Sequence, residues 1–128
     1  MNKIKYRAWN NETNTYKNNV FLSDDGLNLM YFEDAKIFVS PLLTETYTIE
    51  QYSGFDDKSG VPIFENDIIN LKYHYADGTD DIEDVTKKVI FNNGSFSFDN
   101  GTMLEFKLKP FSSMEVIGNI NQNPQLLN

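Results

Sequence analysis

The sequence has no cysteine. That excludes disulfides, thiol nucleophiles, thiolate zinc sites and iron–sulfur clusters. Its single histidine, His74, cannot build a multi-histidine metal site, and no Gly-x-Ser-x-Gly elbow accompanies it to suggest triad chemistry. Gly-rich phosphate loops are absent as well, so nucleotide chemistry has no support. No apolar run approaches the ~18 residues of a membrane helix. The opening Met1-Asn2-Lys3-Ile4-Lys5 lacks the apolar core of a signal peptide. These absences point to a cytoplasmic protein with no membrane contact. Alanine is scarce too, with three residues in 128, which weakens any helical reading. Basic residues are outnumbered 11 to 19, and the resulting net charge of −8 disfavours binding to phosphate backbones.

Aromatic and turn-forming residues are plentiful. Eighteen aromatics suit pleated surfaces, and 16 asparagines suit tight turns and positive φ. Residues 3–9 alternate, with Ile4, Tyr6 and Ala8 on one side and Lys5, Arg7 and Trp9 on the other, which predicts a half-buried strand. Turns are expected at 10–14, at Asp24-Asp25-Gly26, and at Asn92-Asn93-Gly94, whose Asn-Gly pair is a strong hairpin signal. Strands are expected at 20–22, 27–32, 36–39 and 46–52, with a short helix over 42–46. A polar loop from Gly54 to Gly60 precedes a long strand in which Ile69, Leu71, Tyr73 and Tyr75 share a face. Alternation continues from Val85 to Phe91, then in 95–98, 103–106 and 114–117. The expectation is a mainly β fold with little helix, a small antiparallel β-barrel or sandwich with an SH3-like C-terminal portion. A single domain over 1–128 is expected, with N-terminal strands in 1–52, a barrel-like portion in 61–118 and a tail in 119–128.

The charge is concentrated. Residues 45–84 hold 11 acids and two bases, a balance of −9, and the remaining residues sum to +1.

Three segments, in order, resemble the YopX-like proteins of phages and prophages. They are Ile4-Lys5-Tyr6-Arg7-Ala8-Trp9; the run from Gln51-Tyr52-Ser53-Gly54-Phe55-Asp56-Asp57-Lys58-Ser59-Gly60 through Ile63-Phe64-Glu65-Asn66-Asp67-Ile68-Ile69; and Glu115-Val116-Ile117-Gly118-Asn119-Ile120 with Asn123-Pro124 and Leu126-Leu127. The family pattern places Gly where this chain has Asn66. Asn is the residue that best replaces Gly at positive φ, so a left-handed turn is expected there. Asp67 then stands where its carboxylate can accept backbone N–H groups of that turn. The resemblance implies a mostly β fold with a C-terminal barrel-like portion and a phage or prophage origin, and it carries over no established enzymatic activity and no assigned catalytic residues.

No catalytic residue, metal ligand or cofactor is therefore expected. The carboxylate pairs Asp24-Asp25, Asp56-Asp57 and Asp80-Asp81 read first as solvated turns; acid–base work needs carboxyls placed across a cleft. The acidic run from Asp77 to Asp84 lacks the spacing of an EF-hand loop. Two features invite a binding role. Arg7 and Trp9 form either an aromatic–basic contact surface or a Trp packed on a neighbouring strand with Arg7 stacked on it or on a carboxylate. Asp77, Asp80, Asp81, Glu83 and Asp84 form either a solvated face or a surface that attracts a basic partner. The leading functional expectation is a non-enzymatic accessory protein that binds a host or phage protein through an acidic surface resembling nucleic acid. A nucleic-acid-binding SH3- or OB-like barrel, using Lys3, Lys5, Arg7, Lys87, Lys88, Lys107 and Lys109, is the alternative. Exposed strand edges also suggest a homo-oligomer.

Overall fold

The computed structural model describes residues 5–42, 45–74, 82–92, 94–98 and 112–127. Their elements are β1 (Tyr6–Asn10), β2 (Thr15–Leu22), β3 (Asn28–Glu33), β4 (Lys36–Pro41), β5 (Tyr47–Asp56), β6 (Pro62–Phe64), β7 (Asp67–His74), β8 (Ile82–Asn92), β9 (Ser95–Phe98), β10 (Ser112–Asn119) and a 3-10 turn at Pro124–Leu127. The mainly antiparallel β class is the observed one. The chain divides into two compact units, Met1–Tyr52 and Ser53–Asn128.

In the first unit the strands run in the order β4-β3-β2-β1-β5. Period-two alternation gives the sheet two distinct faces. One face gathers a core of Ala8, Val20 and Leu29, flanked by Tyr6, Leu22, Tyr31, Leu42, Tyr47 and Ile49. The other carries Arg7, Trp9, Tyr16 and Glu50, set by a register that places Trp9 opposite Tyr16 and Thr48, and Arg7 opposite Asn18 and Glu50. Between Asn18 and Val20 the ladder skips Asn19, which takes φ 55°, a β-bulge that restores Val20 to the core face. The 10–14 turn is built by Asn10, whose Oδ1 accepts the N–H of Glu12 at 2.9 Å and of Thr13 at 3.1 Å.

In the second unit β5 is followed in its sheet by β6, and β10-β7-β8-β9 form a four-stranded sheet. Ile63, Ile69, Leu71, Val89, Phe98 and Met114 make its core, with Phe55, Val85, Phe96 and Val116 packed against them. Among the described residues β9 and β10 are the edges of this sheet and no closed barrel is found; residues 99–111 of the barrel-like portion expected over 61–118 lie outside the described set.

Other differences are local. No helix forms at Leu42 or at Glu45-Thr46, which are irregular and turn; residues 43–44 lie outside the described set. Strand β5 runs on through Gly54, which adopts φ 90°, so the loop begins at Asp57 and not at Gly54. The strand expected at 103–106 lies outside the described residues. Asn66 has φ 71°, the left-handed turn that its substitution for Gly implied.

Candidate functional site

Three strands of the first unit bring together a buried polar cluster. Arg7 donates from Nε to Glu50 Oε1 at 2.8 Å, and the Tyr16 hydroxyl donates to the same oxygen at 2.9 Å. The Arg7 guanidinium also lies 4.6 Å from the centroid of the Tyr16 ring, and the Trp9 and Tyr16 rings tilt against each other at 4.8 Å. The Glu50 side chain is 0% exposed and that of Arg7 11%. Arg7 and Trp9 are thus packed on the neighbouring strands, with Arg7 engaging a carboxylate and a ring at once. Charge pairing and cation–π contact strengthen when desolvated, so this arrangement supports a fixing role for both residues. Sequence reasoning placed Glu50 in the acidic middle and missed its partner. A usable signal was present: a strand with Glu50 among β-formers, and a basic strand with nothing to neutralise it.

Beside this cluster lies a shallow cavity of 280 Å³ lined by Asn10, Thr13, Thr15, Tyr16, Lys17, Tyr31 and Tyr47. Lys17 stands 4.3 Å from the Tyr31 ring centroid and 3.5 Å from Glu33. The lining offers hydroxyls and amides for hydrogen bonding, and it holds no pair of carboxylates.

In the second unit the acids of the motif are structural. The Asp57 carboxylate accepts backbone N–H groups from Ser59 at 2.8 Å, Val61 at 2.9 Å and Val116 at 3.0 Å. One side chain therefore closes the 57–61 loop and ties it to β10. Burial pushes its carboxyl up, but the donors of Val116, Val61 and Ser59, together with Lys58, outweigh that and hold it below the ordinary 3.8. Asp56 beside it is exposed but is the last residue of β5, so the solvated-turn reading holds for the exposure of Asp56 and fails for the buried Asp57. Asp67, 1% exposed, accepts the N–H of Phe64 at 2.8 Å, as its place in the turn implied. Asp25 plays a similar part on the surface, where the Ser23 hydroxyl and the Leu27 N–H hold its carboxyl below the ordinary value.

The C-terminal motif is a knot of amides. Asn119 Oδ1 accepts the N–H of Asn121 at 3.1 Å and of Gln122 at 2.9 Å, and Asn123 Oδ1 accepts the N–H of Asn119 at 3.2 Å. Gly118 is required by close approach, because a Cβ there would sit 2.6 Å from Asn123 Oδ1.

Of the acidic run, Asp77, Asp80 and Asp81 lie outside the described residues. Glu83 lies in β8, opposite Tyr73. Asp84 is exposed, accepting from Asn70 Nδ2 at 2.6 Å with Lys72 Nζ 4.0 Å away. His74 ends β7, opposite Ile82. Of the basic residues in the alternative reading, Arg7 is bound to Glu50, Lys5 lies 5.3 Å from the Tyr52 ring centroid, and Lys87 and Lys88 are half-buried. Lys3, Lys107 and Lys109 fall outside the described residues. Among the described residues no three His, Asp or Glu side chains gather in a way that could hold a metal ion. Nor is any described helix long and apolar enough to cross a membrane.

The fold and these polar clusters define a small, two-unit antiparallel β protein whose buried carboxylates organise turns and strands. The family model described as YopX protein matches residues 5–128, through both units, and the chain belongs to that family. It is similar over 100% of both chains to the crystal structure of protein EF1440 from Enterococcus faecalis, with a TM-score of 0.69 and 24% identity, a likeness of fold. No curated protein matches the sequence.

Proposed function

We propose that this protein is a non-enzymatic accessory protein of a phage or prophage. It acts in the cytoplasm of the bacterial host by binding a host or phage protein through the acidic segment from Asp77 to Asp84. The supporting observation is where the acids of the 45–84 stretch go. Glu50, Asp57 and Asp67 are buried and committed to Arg7, Tyr16 and backbone N–H groups. Asp84, by contrast, has a side chain 56% exposed. Asp77, Asp80, Asp81 and Glu83 fall within seven positions of it in sequence. Five carboxylates within eight residues of sequence concentrate negative charge of the sign that a cationic nucleic-acid channel attracts, where they would take the place of phosphates.

The test is capture from host lysate with wild-type protein, Asp80→Lys/Asp81→Lys, and Asp24→Lys as a charge control elsewhere. The expected result is a captured protein that the double variant loses, that Asp24→Lys retains, and that added duplex DNA displaces. Capture unchanged by the double variant refutes the acidic reading. Direct gel-shift of nucleic acid by the protein at low salt would favour the barrel-type alternative.

A further inference from the structure

An antiparallel sheet with one face on a core normally turns polar residues outward. Strands β2–β4 do not. Phe21 pairs with Met30 and Met30 with Val39, while Phe32 pairs with Ile37. These five side chains therefore share one face, opposite to Leu22, Leu29, Tyr31 and Phe38. Phe21 is 59% exposed, Phe32 65%, Ile37 68% and Val39 60%. Among the described residues of β2–β4, no Asp, Glu, Lys or Arg interrupts the patch, since Glu33 and Lys36 alternate onto the other face. Among the described residues β4 is also an edge strand of its sheet.

We infer that this face is the contact between two copies of the chain, packed sheet on sheet about a two-fold axis. Area and charge both select this occupant. With side chains of roughly 150–250 Å² each for aromatics and somewhat less for Ile and Val, the exposed fractions leave about 500 Å² of apolar surface per chain. That is near the top of what a monomer ordinarily leaves in water, about 300–600 Å². Two such faces together bury about 1,000 Å², which reaches the area of about 1,000 Å² that a specific interface should clear. Charge decides between a copy and a foreign partner. Across a chain of net charge −8, most self-contacts oppose like charges. This face has none to oppose, and a symmetric contact needs only a surface complementary to itself. The surface lies in the first unit and the acidic segment in the second, so this inference stands independently of the proposal above.

Sedimentation of the full chain between about 1 and 100 µM tests it. Wild type is expected to be a dimer, with Phe32→Glu and Ile37→Glu each weakening association at least 100-fold. Val61→Glu, which charges an exposed apolar residue of the other unit, is expected to leave the dimer intact. Unchanged circular dichroism and melting confirm that the variants fold. A monomeric wild type at 100 µM, meaning that some other occupant covers the face, overturns the inference. So does a dimer indifferent to both glutamate variants.

Discussion

Removing Arg7 tests whether the buried cluster of the first unit is held by charge pairing. In Arg7→Leu, Glu50 keeps the Tyr16 hydroxyl at 2.9 Å but loses the guanidinium at 2.8 Å, in a position where its side chain is 0% exposed. Breaking a buried pair from one side costs about 3–5 kcal/mol, because a desolvated charge loses the opposite charge beside it. Against a total stability of about 5–15 kcal/mol for a small domain, that is a large fraction. Replacing both residues, Arg7→Leu with Glu50→Leu, removes both desolvation costs and is expected to recover more than half of the loss. Tyr16→Phe removes one hydrogen bond to a charged acceptor, a loss of about 1.5–3 kcal/mol. Urea unfolding followed by Trp9 emission reads all of these, since Trp9 is the sole tryptophan and packs 4.8 Å from Tyr16. Two results would refute the reasoning: an Arg7→Leu loss under about 1 kcal/mol, the range of a surface pair, or a double variant as unstable as the two single losses added.

Three further outcomes follow from the second unit. The depressed carboxyl of Asp57 contributes stability that is present above the ordinary value of 3.8 and lost as pH falls through its lower folded-state value. Asp57→Asn should therefore be clearly less stable at neutral pH, with the gap to wild type narrowing in acid; a gap of constant size from pH 7 to about pH 3 in urea titrations would contradict this. Asn66 at φ 71° predicts that Asn66→Gly is near neutral and Asn66→Ala costs about 1 kcal/mol, readable as melting temperature. Gly118→Ala forces a Cβ to 2.6 Å from Asn123 Oδ1 and 2.9 Å from Asn123 Cβ, for a loss of about 1–3 kcal/mol. Adding Asn123→Gly, which clears that space, should make the pair less destabilised than the sum of its parts.

The turn chemistry and the class of fold were legible in the residues themselves. Asn at 66, Gly at 26 and 94, and Asp67 beside its turn satisfy backbone requirements that are local, so sequence alone announces them. Alternation likewise marked most of the strands, because side-chain period depends only on a residue's own neighbours. Three things depended on residues far apart in the chain. Asp57 and Val116 are 59 positions apart, and Arg7 and Glu50 are 43 apart, so only the folded chain turns those acids from surface charge into buried ties. The faces of β2–β4 are equally apolar in sequence, and the tertiary arrangement decided that Leu29 joins a core while Phe32 and Ile37 are left bare. By itself the sequence determined where this chain bends and which residues share a face. The structure decided which face is covered and that Glu50, Asp57 and Asp67 are buried among the acids, because burial depends on distant elements meeting in space, which local patterning does not encode.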